Sequence, residues 1–302
     1  MLFQNLSMNK LKFYVLCSKG MVALKRHLKT IPKNELFVVV NTLDVNFEKA
    51  ASYFCKSEGI EYAVTASNGR AAQGKNSLLE LFVDSKNDYA VCIDGDDYVT
   101  EYGYQVYSCL IKGKKIPDVV ALINQKGIKR SLVNYFTSPE NDNSETNPES
   151  IKGISYYPFK RDRSWWNNIL AMPDDSSMKK WAVQCRRYIM PEETHLRFTF
   201  LSKKAASMFR YDNRFKIGED TLMYLNYKKA WADGLIDLVH FDEEPNPTYI
   251  YDSRVNGVVA QVKGEYGESQ HPMQWVKILV EEYCRYEDNG MMVDATVPVI
   301  NK

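Results

Sequence analysis

The chain has 302 residues, 45% of them hydrophobic and 25% charged, with a formal net charge of +1. That length holds one large or two small domains with a full core, and 13% aromatic residues beside only 15 Gly and 11 Pro exclude fibrous, low-complexity and disordered classes. The net charge is a cancellation, because residues 1–111 carry 12 Lys+Arg against 12 Asp+Glu, residues 112–214 carry 19 against 11, and residues 215–302 carry 8 against 15. Either the basic middle packs on the acidic tail or it meets an anionic partner.

The N-terminal residues lack the apolar stretch of a secretory signal, and the best apolar run, 36–40, stops at Asn41, far short of a membrane span. A cytoplasmic protein is expected. Cys17, Cys55, Cys92, Cys109, Cys185 and Cys284 form no C-x-x-C pair and read as reduced core thiols.

In chain order, the apolar run 12–18 predicts a strand, 21–30 a helix stopped at Pro32, and 36–43, rich in Val, a strand buried on both faces. Apolar residues at helical spacing over 47–57 predict a helix closed by Gly59. A third strand over 60–66, a third helix over 74–83 and a fourth strand over 89–93 complete three βα units, so a mostly parallel sheet flanked by helices is expected. Beyond Tyr98 the alternation blurs. Residues 138–150 read as a loop or insertion, 151–215 mix aromatic and basic residues, 219–232 predict a helix stopped by Asp233-Gly234, 236–241 a strand, and 274–286 a last helix.

Asp94-Gly95-Asp96-Asp97 follows the fourth strand directly, where ligands of open α/β sheets bind. Asp94 and Asp96 are two apart on a turn and can converge on a hard divalent cation through oxygen ligands. The bland alternative is an Asp-Gly turn at a strand end.

The stretch 68–79, with Asn68-Gly69-Arg70 and Gly74-Lys75-Asn76, then a helix, then the strand into Asp94-Gly95-Asp96-Asp97, resembles the donor-binding half of family 2 glycosyltransferases of the GT-A fold. The family's Ala-Arg-Asn triplet corresponds to Gly74-Lys75-Asn76, and its acidic strand end to the Asp-x-Asp motif of Asp94 and Asp96. A later segment, 209–222, with Tyr211-Asp212 and Gly218-Glu219-Asp220, is similar to the family's acceptor-side signature, and 249–257, with Tyr249-Ile250-Tyr251 and Arg254, to the Tyr-x-Tyr and Arg segment that follows its last strand. The three matches keep the family's order over about residues 12–258. Two departures stand out. Cys17-Ser18-Lys19-Gly20 ends the first strand where the family has Pro, an aromatic and Asn, and Asn41-Thr42-Leu43-Asp44 replaces its Asp-Asp-Gly-Ser, which leaves the donor base open.

The resemblance implies a Rossmann-like α/β GT-A fold with an acceptor-side subregion, in which 1–111 bind the donor and 112–302 complete a single domain. It implies an inverting, metal-dependent enzyme that uses a nucleotide sugar such as a UDP-sugar. Asp96 would hold Mn²⁺ or Mg²⁺, with Asp94 at the metal or the ribose, and Lys75 and Arg254 would meet the diphosphate. Asn41, Asp44, Gly69 and Asn76 fall on the donor side. Asp220 would accept the proton of the acceptor hydroxyl and Glu219 would bind such a hydroxyl, although acids at a helix start are also favoured by the backbone dipole alone. His240 and His271 are candidate further metal ligands, the alternative being a core or surface histidine.

Residues 151–214 hold 13 Lys+Arg against 6 Asp+Glu, interleaved with Trp165, Trp166 and other aromatics; with Arg161 and Arg163 these are the candidate acceptor-binding residues. Basic residues meet phosphates and aromatic rings stack on bases, which suits a DNA acceptor bearing a hydroxylated base. A cytoplasmic transferase of surface polysaccharide or lipid-linked glycan synthesis is the alternative enzyme. A non-catalytic carbohydrate- or metal-binding module is the alternative of another class.

Overall fold

The computed structural model describes residues 9–123, 126–129, 155–158, 171, 173, 197–213, 219–243, 245–252 and 297–300. Five parallel-type elements open the chain: β1 (Leu11–Cys17), α1 (Met21–Arg26), β2 (Leu36–Asn41), α2 (Val45–Glu58) and β3 (Glu61–Thr65). There follow α3 (Ala71–Asp84), β4 (Tyr89–Asp94), β5 (Tyr98–Val99), α4 (Glu101–Leu110), β6 (Val119–Ile123), β7 (Lys126–Lys129) and β8 (Ser155–Pro158). The rest is β9 (Arg197–Ser202), α5 (Lys203–Met208), α6 (Glu219–Ala232), β10 (Leu238–Asp242), β11 (Tyr249–Asp252) and β12 (Val299–Ile300).

Eight strands form one sheet in the order β12-β10-β6-β9-β4-β1-β2-β3. All its pairings are parallel except those of β9, which runs antiparallel between β4 and β6. The expected α/β, mostly parallel sheet is thus present. A strand inserted antiparallel needs no crossover helix, so no βα pattern announces it, and the expectation for 151–215 missed it.

β1 shows why the apolar runs carry no period of two. Phe13, Val15 and Cys17 point into the core formed with Leu24, Phe47, Ala51 and Tyr107, on the side of α1, α2 and α4. Tyr14 and Leu16 enter the opposite core with Leu78, Phe82 and Tyr224, on the side of α3, α5 and α6. Both faces are covered, so every position but Lys12, which pairs with the Asn34 carbonyl and Glu61, is apolar or aromatic. Cys17 and Cys55 lie buried and free as expected, whereas Cys109 is exposed; Cys185 and Cys284 lie outside the described residues, as does the helix expected over 274–286.

Two helix boundaries differ from the expectation. The helix expected over 21–30 ends at Arg26 and tightens into a 3-10 turn, His27–Lys29, and the third helix starts at Ala71 rather than 74. Gly59, at φ 69°, closes α2 as the left-handed residue that its position requires. Among the described residues no helix is long and apolar enough to cross a membrane.

A second sheet, β5-β11-β7-β8, begins four residues after β4 ends. The Asp94–Asp97 turn therefore joins the two sheets, at the carboxyl edge of the parallel strands.

Candidate active site

The acidic turn is held on three sides. Asp97 N–H donates to the Asp94 carbonyl at 2.9 Å, closing the turn, and Gly95 N–H donates to the Leu16 carbonyl of β1 at 2.8 Å. A Cβ at Gly95 would stand 2.5 Å from that carbonyl oxygen and 3.0 Å from Cys17 Cα, so glycine alone lets the turn press on β1. Asp97 is fully buried. Its Oδ2 accepts from the Tyr249 hydroxyl at 2.8 Å and its Oδ1 from Asp252 N–H at 2.9 Å, and that same hydroxyl accepts from Asp94 N–H.

Arg26, from α1, completes the frame. It donates to the Asp96 carbonyl at 2.8 Å and to Asp252 Oδ2 at 2.6 Å, and its guanidinium lies 4.3 Å over the Tyr98 ring. Sequence gave no sign of Arg26, since its partners lie 70 and 226 residues away.

Carboxylate oxygens of Asp94, Asp96 and Asp97 all lie within 4.8 Å of one another. Asp97 is fully buried and turned toward Tyr249 and Asp252, so Asp94 and Asp96, both partly exposed, are the accessible oxygen donors of a hard-cation site. Lys19, in the loop after β1, stands within electrostatic reach of Asp96.

The second acidic pair enters from α6. Glu219 is buried and Asp220 partly exposed, and the Lys75 ammonium on α3 joins them: 2.7 Å to Glu219 Oε1, 2.7 and 2.8 Å to the two oxygens of Asp220, and 3.9 Å to Asp94 Oδ2. Burial pushes the Glu219 carboxyl up, with Lys75 pulling it back and Asp220 adding to the rise. A small cavity beneath is lined by Lys75, Cys92, Asp94, Phe198, Tyr211 and Asp220. Burial pushes the Cys92 thiol up to about 12, so it stays protonated at neutral pH and is a poor nucleophile.

Lys75, Asp94, Asp96, Glu219 and Asp220 are therefore brought to one place from three elements. Other expected donor-side residues are spent on the frame. Asn41 is buried, and its amide donates to Thr65 Oγ1 and the Ala66 carbonyl, tying the ends of β2 and β3. Asp44 caps α2 by accepting from Asn46 and Phe47 N–H. Asn76 pairs with both backbone groups of Tyr211, at 2.7 and 2.8 Å, as a strand would. Gly69 sits at φ 76° in the loop before α3, against Leu43.

His240 stands apart from the acidic turn. It is buried on β10, which β6 and β9 separate from β4, and its Nε2 meets the Tyr224 hydroxyl at 2.9 Å. The ring expected as a candidate metal ligand is thus engaged in the core against α6. Arg254, His271, Trp165, Trp166, Arg161 and Arg163 lie outside the described residues.

No family model matches the chain, and no curated protein matches it either. Among solved structures it is similar to TarS of S. aureus, at 14% identity over 95% of this chain and 46% of that one, with a TM-score of 0.45. The chain thus spans about half the length of that protein. It is also similar to residues 1–349 of TarS in complex with UDP-GlcNAc, at 12% identity over 92% of this chain and 73% of that one, with a TM-score of 0.45. A third likeness is to the mannosyltransferase PcManGT from Pyrobaculum calidifontis in complex with GDP-Man and Mn²⁺, at 12% identity over 93% and 71%, with a TM-score of 0.44. At such low identity and TM-score these likenesses carry no functional argument, and the reading of the site rests on the chain's own residues.

Proposed function

We propose that the chain is an inverting glycosyltransferase of the GT-A type, moving a sugar from a nucleotide sugar such as a UDP-sugar to a hydroxyl acceptor. One observation carries this reading: an acidic turn at the carboxyl edge of the sheet meets a second acidic pair, more than 120 residues later in the chain, across a single lysine. The order of the three sequence matches supports it. Residues 1–111 would form the donor half and 112–302 the acceptor half of one domain.

In the reaction, the bond between the anomeric carbon and the phosphate oxygen breaks through an oxocarbenium-like transition state, the acceptor oxygen bonds to the opposite face, and a nucleoside diphosphate leaves. Asp94 and Asp96 would hold Mn²⁺ or Mg²⁺, which when bound offsets the charge growing on the leaving diphosphate. Asp220, with 29% of its side chain exposed, faces the cavity and would take the acceptor proton, while buried Glu219 would orient the acceptor. Arg254 would face the diphosphate by the sequence match alone.

For the acceptor we propose a hydroxylated base in DNA, on the strength of the basic and aromatic composition of residues 151–214. A panel of nucleotide sugars incubated with Mn²⁺ and scored for free nucleoside diphosphate tests the donor reading. Release from at least one donor is expected; silence across the panel with both Mn²⁺ and Mg²⁺ sinks it and favours a binding module. Duplex DNA whose electrophoretic mobility is unchanged by micromolar protein at low salt removes the DNA acceptor.

A further inference from the structure

We infer that Lys75 is a positioning residue for the base of the reaction, acting through Asp220 rather than on the donor diphosphate. The inference rests on the glycosyltransferase reading above and changes the role that the sequence match implied for this lysine. Three observations carry it.

First, the ammonium makes close contacts with α6. It contacts both oxygens of Asp220 at 2.7 and 2.8 Å and Glu219 at 2.7 Å, whereas the carboxylate of the acidic turn, Asp94, is 3.9 Å away. Two near-equal contacts seat the ammonium between the oxygens of Asp220 and hold the carboxylate at a set distance from α3. A carboxylate offers about four lone-pair sites, so Asp220 keeps acceptor capacity for a hydroxyl proton while Lys75 holds it.

Second, the lysine has little room to turn away. Its side chain is 11% exposed, lies 5.4 Å from the Tyr211 ring centroid, and lines the cavity beside Cys92 and Asp94.

Third, the next residue of α3 reinforces the same joint. Asn76 takes both backbone groups of Tyr211, so two consecutive residues of the donor-side helix grip the segment leading to α6 and its first turn. α3 thereby sets the distance between the acidic turn and the base. Near-attack geometry is sensitive to errors of about 1 Å, which cost on the order of a hundredfold in rate.

In the step itself the acceptor O–H bond breaks, its proton passes to Asp220, the oxygen bonds to the anomeric carbon, and the nucleoside diphosphate leaves with the bonding pair. Lys75 keeps its proton throughout and is not consumed. Without it, Asp220 would lose the group that orients it, but the donor would keep its own contacts.

The test uses slow donor hydrolysis, in which water stands as the acceptor, by the full chain with Mn²⁺. Lys75→Gln is expected to lower kcat about a hundredfold, within the range that a positioned base contributes, with the Kd of the nucleoside diphosphate, read by calorimetry, within twofold of the parent. Lys75→Arg restores kcat to within about tenfold of the parent, since a guanidinium holds a carboxylate with two bonds. Lys75→Gln placed on Asp220→Asn slows the enzyme no further, the signature of two residues that act as a unit. The inference is overturned by a tenfold rise in that Kd in either variant, by an unchanged kcat in Lys75→Gln, or by additive losses in the double variant. Should Lys75→Gln fail to fold by circular dichroism, the Kd of Lys75→Arg decides alone. Failure of the glycosyltransferase reading is distinct, because the parent itself would then release no nucleoside diphosphate.

Discussion

The two acidic groups of the site are built on opposite principles. The Asp94–Asp97 turn is held from β1 through Gly95, from α1 through Arg26 and from β11 through Tyr249 and Asp252. The Glu219–Asp220 pair, among the described residues, is tethered across to α3 by Lys75. A turn that presents oxygens to a small cation gains from rigidity, because ligand distances must hold within a few tenths of an ångström. The base proposed above gains from a tether that sets its distance from α3 while 29% of its side chain stays exposed.

Breaking the frame of the turn should cost the most. Arg26→Ala removes a charged partner of Asp252, which is 1% exposed, and a broken buried pair costs about 3–5 kcal/mol; urea unfolding measures it, and a loss below about 1 kcal/mol would show that the turn does not depend on this side. Asp97→Ala strands the Tyr249 hydroxyl and Asp252 N–H in the core, at about 1–3 kcal/mol for each donor left unpaired. The same unfolding curves report it, together with a weaker Mn²⁺ affinity.

Acid should weaken the frame through His27. Burial, then the charge of neighbouring Arg26, lowers this histidine to about 3. Its folded value lies below its unfolded one, so protons favour the unfolded chain. This contribution to stability is complete above about pH 6.5 and is lost as pH falls toward 3, by about 1.4 kcal/mol per pH unit. His27→Leu should unfold with less pH dependence between pH 6.5 and 4.5 than the parent; equal slopes would mean that His27 is not kept neutral.

The smallest effect separates frame from donor contact. Asp44→Ala removes a helix cap worth about 1 kcal/mol and should leave the nucleoside diphosphate Kd unchanged. A tenfold weaker Kd would return Asp44 to the donor site.

These contrasts also explain what could be read before the structure. β1, β2 and β4 are apolar because both their faces are covered, and that run, together with the acidic turn at its end, is visible residue by residue. β9 and α4 are not: β9 enters antiparallel from a stretch of mixed composition, and α4 carries Gly103, where a Cβ would stand 2.0 Å from the Thr248 carbonyl. Residue type placed Lys75 in the site, but its contacts with Glu219 and Asp220 join residues 144 and 145 positions apart, which no local pattern announces. Asn41 and Asp44 carry the chemistry of ligand residues, yet their hydrogen bonds are local to β3 and α2.

The proposed function has the acidic turn and α6 work on one nucleotide sugar. Its most direct test is nucleoside diphosphate release from the active donor, with Mn²⁺, by the parent, Asp96→Asn and Asp220→Asn side by side. Both variants are expected to fold, each to lose at least about a hundredfold in rate, and only Asp96→Asn to lose Mn²⁺ affinity. Release that survives undiminished in either folded variant contradicts the proposed function.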